Sequence, residues 1–268
     1  MALRFAPSAQ NFIAAVGSWK DLFDNGIIEV YSGSQPATPD LAVTGTLLVT
    51  FTSGAAAFTP ETRALGVLTL SGTGAGSVDT LTLLGKELMG SATAYNTSLT
   101  QTAADVCLKI NRNPKNKWVV ATNSASAVIT LTAVPGLGAL LNAAALTITS
   151  TTLTSAVTST TFGSGTGGGT AGVDAVNGLK MDYNAAAGLI TKDVTQTWSG
   201  TAVSGGTAGW FRFKGSVVDA GAADSSAVFL RMDGSVATSG AQMNMSSTTI
   251  TNGALQTLST FNFTVPAA

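Results

Sequence analysis

Few residues of this sequence have the types and spacing that catalysis needs. The chain of 268 residues contains no histidine, the residue that most often serves as a general base near neutral pH and as a ligand of transition metals. The Ser-His-Asp and Cys-His arrangements of nucleophilic enzymes are therefore excluded. The single cysteine, Cys107, lies in the pattern AADVCLKI, an apolar helical face on which we expect a buried and inert thiol.

The carboxylates are few and widely separated along the chain. The candidates for acid–base work are Asp79, Glu87, Asp182, Asp193, Asp219, Asp224 and Asp233. No two of them are spaced as a catalytic pair of the glycosidase type, and no loop has the clustered oxygen ligands of a calcium site. We expect turn residues and solvated strand residues, and predict no catalytic residue, no cofactor site and no metal ligand.

A glycine-rich run, GSGTGGGTAG at residues 163–172, has the composition of a phosphate-binding loop. No GK[ST] triplet follows it and no helix-forming segment begins at its end, although a phosphate site of this kind needs both. The run is too rich in glycine to pack, so we expect a flexible linker at a module boundary.

Two further patterns could indicate ligand binding. The segment KINRNPKNK, with Lys109, Arg112, Lys115 and Lys117, could contact nucleic acid, and WFRF at 210–213 could stack on a sugar or a base. A sequence pI of about 5.3 argues against a nucleic-acid partner, so KINRNPKNK predicts a helix end followed by a solvated turn. The alternation in WFRF favours packing of its rings in a core.

The elements that must position these residues are mostly strands. The N-terminal segment is the exception, because Phe12, Val16, Trp19 and Phe23 recur at helical spacing between Ser8 and Asn25–Gly26. This pattern predicts an amphipathic helix of about four turns. Its apolar stripe packs either on its own β domain or on a neighbouring copy.

Short β-prone runs separated by glycine-rich turns predict a mainly β fold of sandwich or barrel type. Strands are expected at 27–33 and 44–52, joined by the loop SQPATPD, and then in VLTLSG, VDTLTLLG, SATAYN and LTITSTTLTSAVTSTTF. TQTAADVCLKINRNP predicts one further helix, and WVVATN with AVITLTAV predicts a hairpin. Beyond residue 172, strands are expected at 210–213, 227–233, 241–246 and 258–265, the last with Phe261, Phe263 and Val265 facing a core.

The composition favours association between copies. Only 10% of the residues are charged, 45% are hydrophobic, and the formal net charge is -1, so long-range repulsion between copies is weak. No apolar run reaches the roughly 18 residues of a membrane span, and MALRFAPSAQNF lacks the apolar core of an export signal. We expect no membrane partner and a protein that stays in the compartment where it is made.

The two ends of the chain resemble a family of small structural proteins encoded in tailed-phage genomes and prophages. The similarity lies in the first 60 or so residues, with NGIIEVYSGSQPATPDLAVTGTLLVTFT, and the last 95 or so, with WSGTAVSGGTAGWFRF and RMDGSVATSGAQMNMSSTTITNGALQTLSTFNFTVP. In that family the first part runs almost directly into the second. The intervening GVLTLSG, SVDTLTLLGKELMGSAT, TQTAADVCLKINRN and WVVATNSASAVITLTAV are similar to a small domain that recurs in phage structural proteins.

The resemblance implies a discontinuous β base domain, residues 1–62 and 174–268, that carries an inserted β-rich module with one helix, residues 63–173. Insertion at loop-like sites is what chains tolerate best. It further implies a virion location after assembly in the host cytoplasm, with partners that include further copies of the chain and other virion proteins such as the major capsid protein. No functional residue is carried over, because the role of that family is structural.

Three classes of function follow from these observations. The first is a non-enzymatic virion protein, preferably one that decorates or cements the capsid through its N-terminal helix and loop; a tail, collar or head-to-tail connector protein is the alternative. The second is a receptor- or glycan-binding module, suggested by the polar β surface. The third is an enzyme with two catalytic carboxylates, which the sequence supports least.

Overall fold

A computed structural model describes residues 3–15, 17–72, 75–124, 126–157, 161–163, 168–182, 189–226 and 228–264. Strands account for 41% of the chain and helices for 11%, and the sheets are almost entirely antiparallel, so the prediction of a mainly β fold is confirmed. None of the helices in the described ranges is long and apolar enough to cross a membrane.

The helices and strands are numbered in chain order. They are β1 (Arg4–Phe5), α1 (Pro7–Ala15), α2 (Trp19–Phe23), β2 (Ile27–Ser32), β3 (Leu47–Ser53), β4 (Leu65–Ser71), β5 (Ser77–Leu83), β6 (Lys86–Glu87), β7 (Thr93–Ala94), α3 (Leu99–Arg112), β8 (Val119–Asn123), β9 (Val128–Ala133), β10 (Ala144–Thr151), β11 (Thr154–Val157), β12 (Thr161–Phe162), β13 (Leu189–Thr191), β14 (Trp198–Thr201), β15 (Gly206–Lys214), β16 (Arg231–Ala237), β17 (Met243–Asn244), β18 (Thr249–Ile250), β19 (Leu255–Leu258) and β20 (Asn262–Thr264).

The chain divides into two compact units. Unit 1 contains Met1–Glu61 and Ala175–Ala268, and unit 2 contains Thr62–Asp174. The chain therefore leaves unit 1 once and returns to it once. Each unit has its own cluster of buried apolar side chains, as expected of parts that fold around separate cores.

Unit 1 is built on a nine-stranded sheet with the main order β1-β16-β15-β2-β3-β14-β19. β17 adds to β16 in the parallel sense, and β18 adds to β15. Along the central strands alternate residues face an apolar core, which includes Ile28 and Val30 of β2, Phe211 and Phe213 of β15, and Met232 of β16. Their neighbours in sequence therefore lie on the opposite face of the sheet.

The N-terminal helix is shorter than predicted and is broken in two. α1 and α2 are separated at Gly17, where a Cβ atom would stand 2.4 Å from the ring of Phe12, so the chain can pass that ring only without a side chain. Ser18 then caps α2 by accepting the N–H of Asp21, whose carboxylate in turn accepts the N–H of Ser18. Phe12 and Phe23 are buried in the core of unit 1; Val16 lies outside the described residues.

The predicted strand at 227–233 begins later than expected. β16 begins at Arg231 because the carboxylate of Asp224 accepts the backbone N–H groups of Val228 and Phe229, both at 2.8 Å. These bonds hold the chain in a turn, since the same N–H groups cannot also join a ladder. Of the predicted strand at 241–246, only Met243–Asn244 is a strand.

The predicted strand at 258–265 is two strands in two sheets. β19 ends at Leu258 on β14, and β20 pairs with β13 in a separate two-stranded sheet. Between them Phe261 turns into the core, where its ring lies 5.6 to 6.1 Å from the rings of Trp198, Phe211 and Phe213. Burial of one large aromatic ring thus separates the two strands; Val265 lies outside the described residues.

Unit 2 contains two antiparallel sheets and one helix. One sheet has the order β12-β10-β5-β6, with β7 also paired to β5, and the other has the order β11-β4-β9-β8. α3 begins after Ser98, which accepts the N–H of Gln101, and buries Ala103, Val106 and Ile110. The predicted hairpin is confirmed as β8 and β9, and the predicted helix as α3.

Part of the predicted linker at 163–172 is fixed to unit 2. The side-chain amide of Asn142 donates to the carbonyl of Gly172 and accepts the N–H of the same glycine, each at 2.8 Å. Gly163 and Thr170 both donate to the carbonyl of Leu65. The prediction of a flexible connection is therefore wrong for these positions, because backbone partners replace the side chains that glycine lacks; residues 164–167 lie outside the described residues.

The outer edge of β8 is closed by asparagine side chains. Asn111 of α3 donates to the carbonyl of Ala121 and accepts its N–H, and Asn116 does the same for Val119. Each amide therefore takes the place of one residue of a neighbouring strand. An edge satisfied in this way cannot accept a strand from another chain.

We predict that Asn111→Ala lowers the free energy of unfolding of unit 2 by about 1–3 kcal/mol, because both backbone groups of the buried Ala121 lose their partner. Thermal and urea unfolding would measure the change. The matched control is Gln101→Ala, which removes an exposed amide from the same helix and should cost less than about 0.5 kcal/mol. Equal losses in the two variants would show that the amide of Asn111 does not support β8.

Candidate functional site

Three of the strings that carry the family resemblance meet on one face of unit 1. IIEVYS forms β2, WFRF lies in β15 and RMDGS begins β16, and these three strands are neighbours in the sheet. Several of their residues opposite the core are polar or charged and nevertheless buried, among them Arg212, Arg231 and Asp233 at 0% exposure. We call this surface the charged face.

A row of alternating charges crosses the charged face. Arg4 of β1 lies opposite Asp233 of β16, Asp233 opposite Arg212 of β15, and Arg212 opposite Glu29 of β2. The Arg212–Asp233 pair is bidentate, with Nε to Oδ1 and Nη2 to Oδ2 both at 2.7 Å. Opposite charges on directly facing residues stabilise a pairing register, and like charges would oppose it.

A second set of charges continues this row. Lys214 Nζ lies 2.6 Å from Oε2 of Glu29 and also donates to the backbone carbonyl of Asp219. Arg231 binds the carboxylate of Asp219 through Nε at 2.7 Å and Nη2 at 2.6 Å. The segment that contains Asp219 is thereby drawn over the charged face.

Three arginines hold residues 33–46, which we call the covering loop, over the charged face. Arg4 donates to the carbonyl of Pro36, Arg231 Nη1 to that of Pro39 at 3.1 Å, and Arg212 Nη1 to that of Leu41 at 3.1 Å. Proline has no N–H and blocks regular pairing on its own side, so the guanidinium groups satisfy carbonyls that no strand reaches. The covering loop is the predicted connection SQPATPD with its flanks.

The covering loop is also joined to residues 215–229, the second segment over the charged face. Val43 donates its N–H to the carbonyl of Gly221 at 2.9 Å, and Asp224 donates its N–H to the carbonyl of Asp40 at 2.7 Å. Both segments are therefore fixed to the sheet and to each other. Such backbone-level fixation limits the opening of loops that would otherwise be mobile.

Aromatic rings complete the charged face. The ring of Tyr31 stacks on that of Trp210 at 4.6 Å between centroids, and the guanidinium carbon of Arg212 lies 5.5 Å from the Trp210 centroid. The hydroxyl of Tyr31 donates to Glu29 at 2.5 Å. Burial, followed by the charge of Glu29, raises the pKa of Tyr31 above its usual range, so the phenol stays protonated and remains a donor.

The two carboxylates paired with arginine respond differently to burial. Burial raises the pKa of Asp233 even though Arg212 opposes the rise. Burial also acts to raise the pKa of Asp219, but the hydrogen bonds from Arg231 and from the N–H of Gly221 lower it below the usual value. Asp219 is therefore held firmly as the anion that Arg231 requires.

Asp40 and Asp224 bring two negative charges close together at the edge of this network. Burial and the charge of Asp224 raise the pKa of Asp40, and its Oδ1 has no hydrogen-bond partner among the described residues. Asp224 is satisfied by the N–H groups of Val228 and Phe229. The pair resembles a catalytic dyad only in charge, because one member is committed to holding a turn.

The sequence-based expectations for candidate residues are met in part. Turn residues or solvated strand residues were expected. Asp224 does hold a turn, but Asp219 and Asp233 are members of the buried network instead of solvated residues. Cys107 is buried at 7% exposure, as predicted, and burial raises the pKa of its thiol to about 11. The rings of WFRF are buried, as predicted. The charged face itself escaped prediction, although arginine, lysine and aspartate at alternating positions of otherwise apolar strands were a usable signal.

Unit 2 contains an open groove of about 750 Å³ between β7 and α3. Its lining combines apolar and polar residues, namely Met89, Thr93, Ala94, Tyr95, Asn96, Asp105, Leu108, Lys109, Arg112, Asn113 and Pro114. Several polar side chains are engaged with the protein: Lys109 donates to Ser91 and Ala92, and Asp105 accepts from Asn96 and Gln101. The groove therefore presents few convergent polar groups to a ligand.

The charged face suits the fixing of loops better than a chemical reaction. Its guanidinium groups are bound to carboxylates and to backbone carbonyls of the two loops. In the part of the chain that the structure describes, no three His, Cys, Asp or Glu residues are grouped as metal ligands would be. The arrangement can hold two loops in a fixed shape at the surface.

We predict that Asp233→Asn lowers the free energy of unfolding by about 3–5 kcal/mol, because Arg212 then remains charged and buried without its anion. The double variant Arg212→Met/Asp233→Leu should recover most of this loss, since apolar residues of similar volume often replace a buried ion pair at little cost. Denaturant unfolding measures both. If the double variant is as unstable as Asp233→Asn, the loss has a different origin.

We predict that Asp40→Asn raises the unfolding temperature at pH 7, with a smaller gain near pH 4. Because the pKa of Asp40 is higher in the folded state, the free energy of unfolding falls as the pH rises above the ordinary value of 3.8. Asparagine does not ionise, so the variant does not show this fall. Asp193→Asn is the control of opposite sign. Hydrogen bonds from Thr195 lower the pKa of Asp193, so the ionised carboxylate stabilises the fold at pH 7, and its replacement should lower the unfolding temperature there. Thermal scans at both pH values measure this; equal changes of unfolding temperature in the two variants would contradict the prediction.

Comparison with known proteins adds no relative to this description. No family model, no curated protein and no solved structure matches the chain.

Proposed function

We propose that this chain is a non-enzymatic structural protein of a tailed-phage particle, and within that particle a protein that decorates or cements the capsid. The observation that carries the proposal is the charged face. Parts of the strings that carry the resemblance, around SQPATPD, WFRF and RMDG, converge there and fix two surface loops. A protein whose distinctive residues hold loop shape is suited to contact with neighbouring proteins.

The architecture that goes with this proposal is a sandwich-like base domain interrupted by an inserted module. Unit 1 would be the base domain and unit 2 the insert, whose separate core supports independent folding. In this proposal the base domain contacts the particle and the insert projects. The helices α1 and α2 are less suited to the contact than the sequence suggested, because Phe12, Leu22 and Phe23 are committed to the core.

The loops over the charged face supply the contact surface instead. Leu41 of the covering loop and Val218 and Val228 of the second segment expose 48%, 66% and 46% of their surface. Their backbones are held by Arg212, by Asp224 and by the bonds between the two segments. Apolar side chains on a preorganised surface bind with little loss of conformational entropy.

The scarcity of exposed charge on unit 1 supports assembly in many copies. Among the charged residues of unit 1 only Asp21 and Lys180 are exposed, and the others are half-buried or buried. Copies that lie side by side on a shell then meet little electrostatic repulsion. Weak contacts repeated by symmetry can give a stable coat without any single strong site.

We predict that particles from the genome that encodes this sequence carry the protein spread over the head in several hundred copies. Quantitative mass spectrometry against the major capsid protein gives the copy number, and antibody labelling gives the position. If the copies are confined to the tail, collar or neck, the protein is a tail, collar or connector protein and does not decorate the capsid. Absence from the particle would exclude both.

The contact surface is tested on the same particles. Leu41→Asp/Val218→Asp should lower occupancy at least tenfold, because each carboxylate would have to be desolvated in the contact. Val203→Asp is the matched control, since Val203 is 59% exposed and lies outside both loops. Equal occupancy of the two variants would contradict the assignment of these loops to the contact.

A further inference from the structure

We propose that β19 is a self-association strand, which pairs in the antiparallel sense with β19 of a second copy across a two-fold axis. Among the residues that the structure describes, β19 is the last strand of the nine-stranded sheet and pairs with β14 alone. Ala202 donates to the carbonyl of Ala254, and Gln256 and Leu258 continue this inward-bonded set by the alternation of an antiparallel ladder. The N–H and C=O groups of Leu255 and Thr257 therefore point away from the sheet.

A groove borders β19. Its volume is about 330 Å³, and it is lined by Asn244, Met245, Ser246, Leu255, Gln256, Thr257, Leu258, Ser259 and Thr260. None of these residues is charged. An occupant with charged side chains would lose its hydration without gaining a partner, so the groove fits an uncharged extended segment that bonds through its main chain.

Three other edge strands, β8, β1 and β6, are protected. Asn111 and Asn116 close the edge of β8. β1 and β6 are only two residues long and contain Arg4 and Lys86, and short or charged edges resist pairing with another chain. β19 has no lysine, no proline and no bulge, and its Leu255 is 63% exposed.

A second copy of β19 fits this edge without any new element. With Gln256 opposite Gln256 of the second copy on the axis, Leu255 faces Thr257 of the other strand and exchanges two hydrogen bonds with it, as does the symmetric pair. All four outward N–H and C=O groups of each strand are then satisfied. The sequence LQTL is uncharged, so neither copy brings a charge into the groove of the other.

Disulfide trapping tests this register. Residues opposite each other at a non-hydrogen-bonded site are about 4.5 Å apart at Cα, so Gln256→Cys should form a covalent dimer in a glutathione redox buffer. Val120→Cys is the matched control, because Val120 is 41% exposed on β8, whose edge is closed; it should stay monomeric. Wild type supplies the background, since Cys107 is buried.

Proline at the edge tests the hydrogen bonds. Thr257→Pro removes one outward N–H at a position where an edge strand tolerates proline. We expect the wild type to sediment as a dimer and this variant as a monomer, with an unchanged circular dichroism spectrum. In the Gln256→Cys background it should lower the yield of disulfide-trapped dimer at least tenfold. A wild-type chain that is monomeric over the full concentration series, or equal trapping at positions 256 and 120, overturns the pairing. These measurements use purified protein, so their outcome is separate from the location of the chain in a particle.

Discussion

Unit 1 depends on charges that are buried between a sheet and its loops. The row Arg4–Asp233–Arg212–Glu29 fixes the register of four strands. Its two guanidinium groups, together with that of Arg231, donate to carbonyls of the covering loop. Removal of any of these charges would leave its partner desolvated, which is costlier than the pair itself is stabilising. The network therefore specifies one arrangement of the loops more than it adds to the free energy of unfolding.

The same network explains why the exterior of unit 1 carries so little charge. Charged residues are scarce in the chain, and many of those in unit 1 lie on the charged face, where six of them form three pairs of opposite sign. The surface is left to Thr, Ser, Asn and apolar side chains. The charges of unit 1 therefore fix the positions of its loops, and few of them remain exposed to cause long-range repulsion between copies.

Much of the fold could be predicted, because the strands of units 1 and 2 follow hydrophobic periodicity and α3 has a clear cap and apolar stripe. The errors have local causes that periodicity does not register. Asp224 captures two N–H groups and delays β16, Phe261 leaves the strand for the core, and Gly17 divides the N-terminal helix. The charged face was missed because a buried Arg212 and a solvated one look alike in sequence, and only the cross-strand register places Asp233 and Glu29 beside it.

The edge strands β8 of unit 2 and β19 of unit 1 differ in how their outward backbone groups are satisfied, and this contrast bears on assembly. In unit 2 the side-chain amides of Asn111 and Asn116 imitate a neighbouring strand and close β8, as expected of a part that must not pair with others. In unit 1 the outward N–H and C=O groups of β19 meet no described residue, beside a groove without charge. Two asparagine side chains are enough to close the edge of β8, and no comparable side chain among the described residues closes the edge of β19. For this reason we interpret the open edge of β19 as the self-association strand proposed above and not as an unprotected end of the sheet.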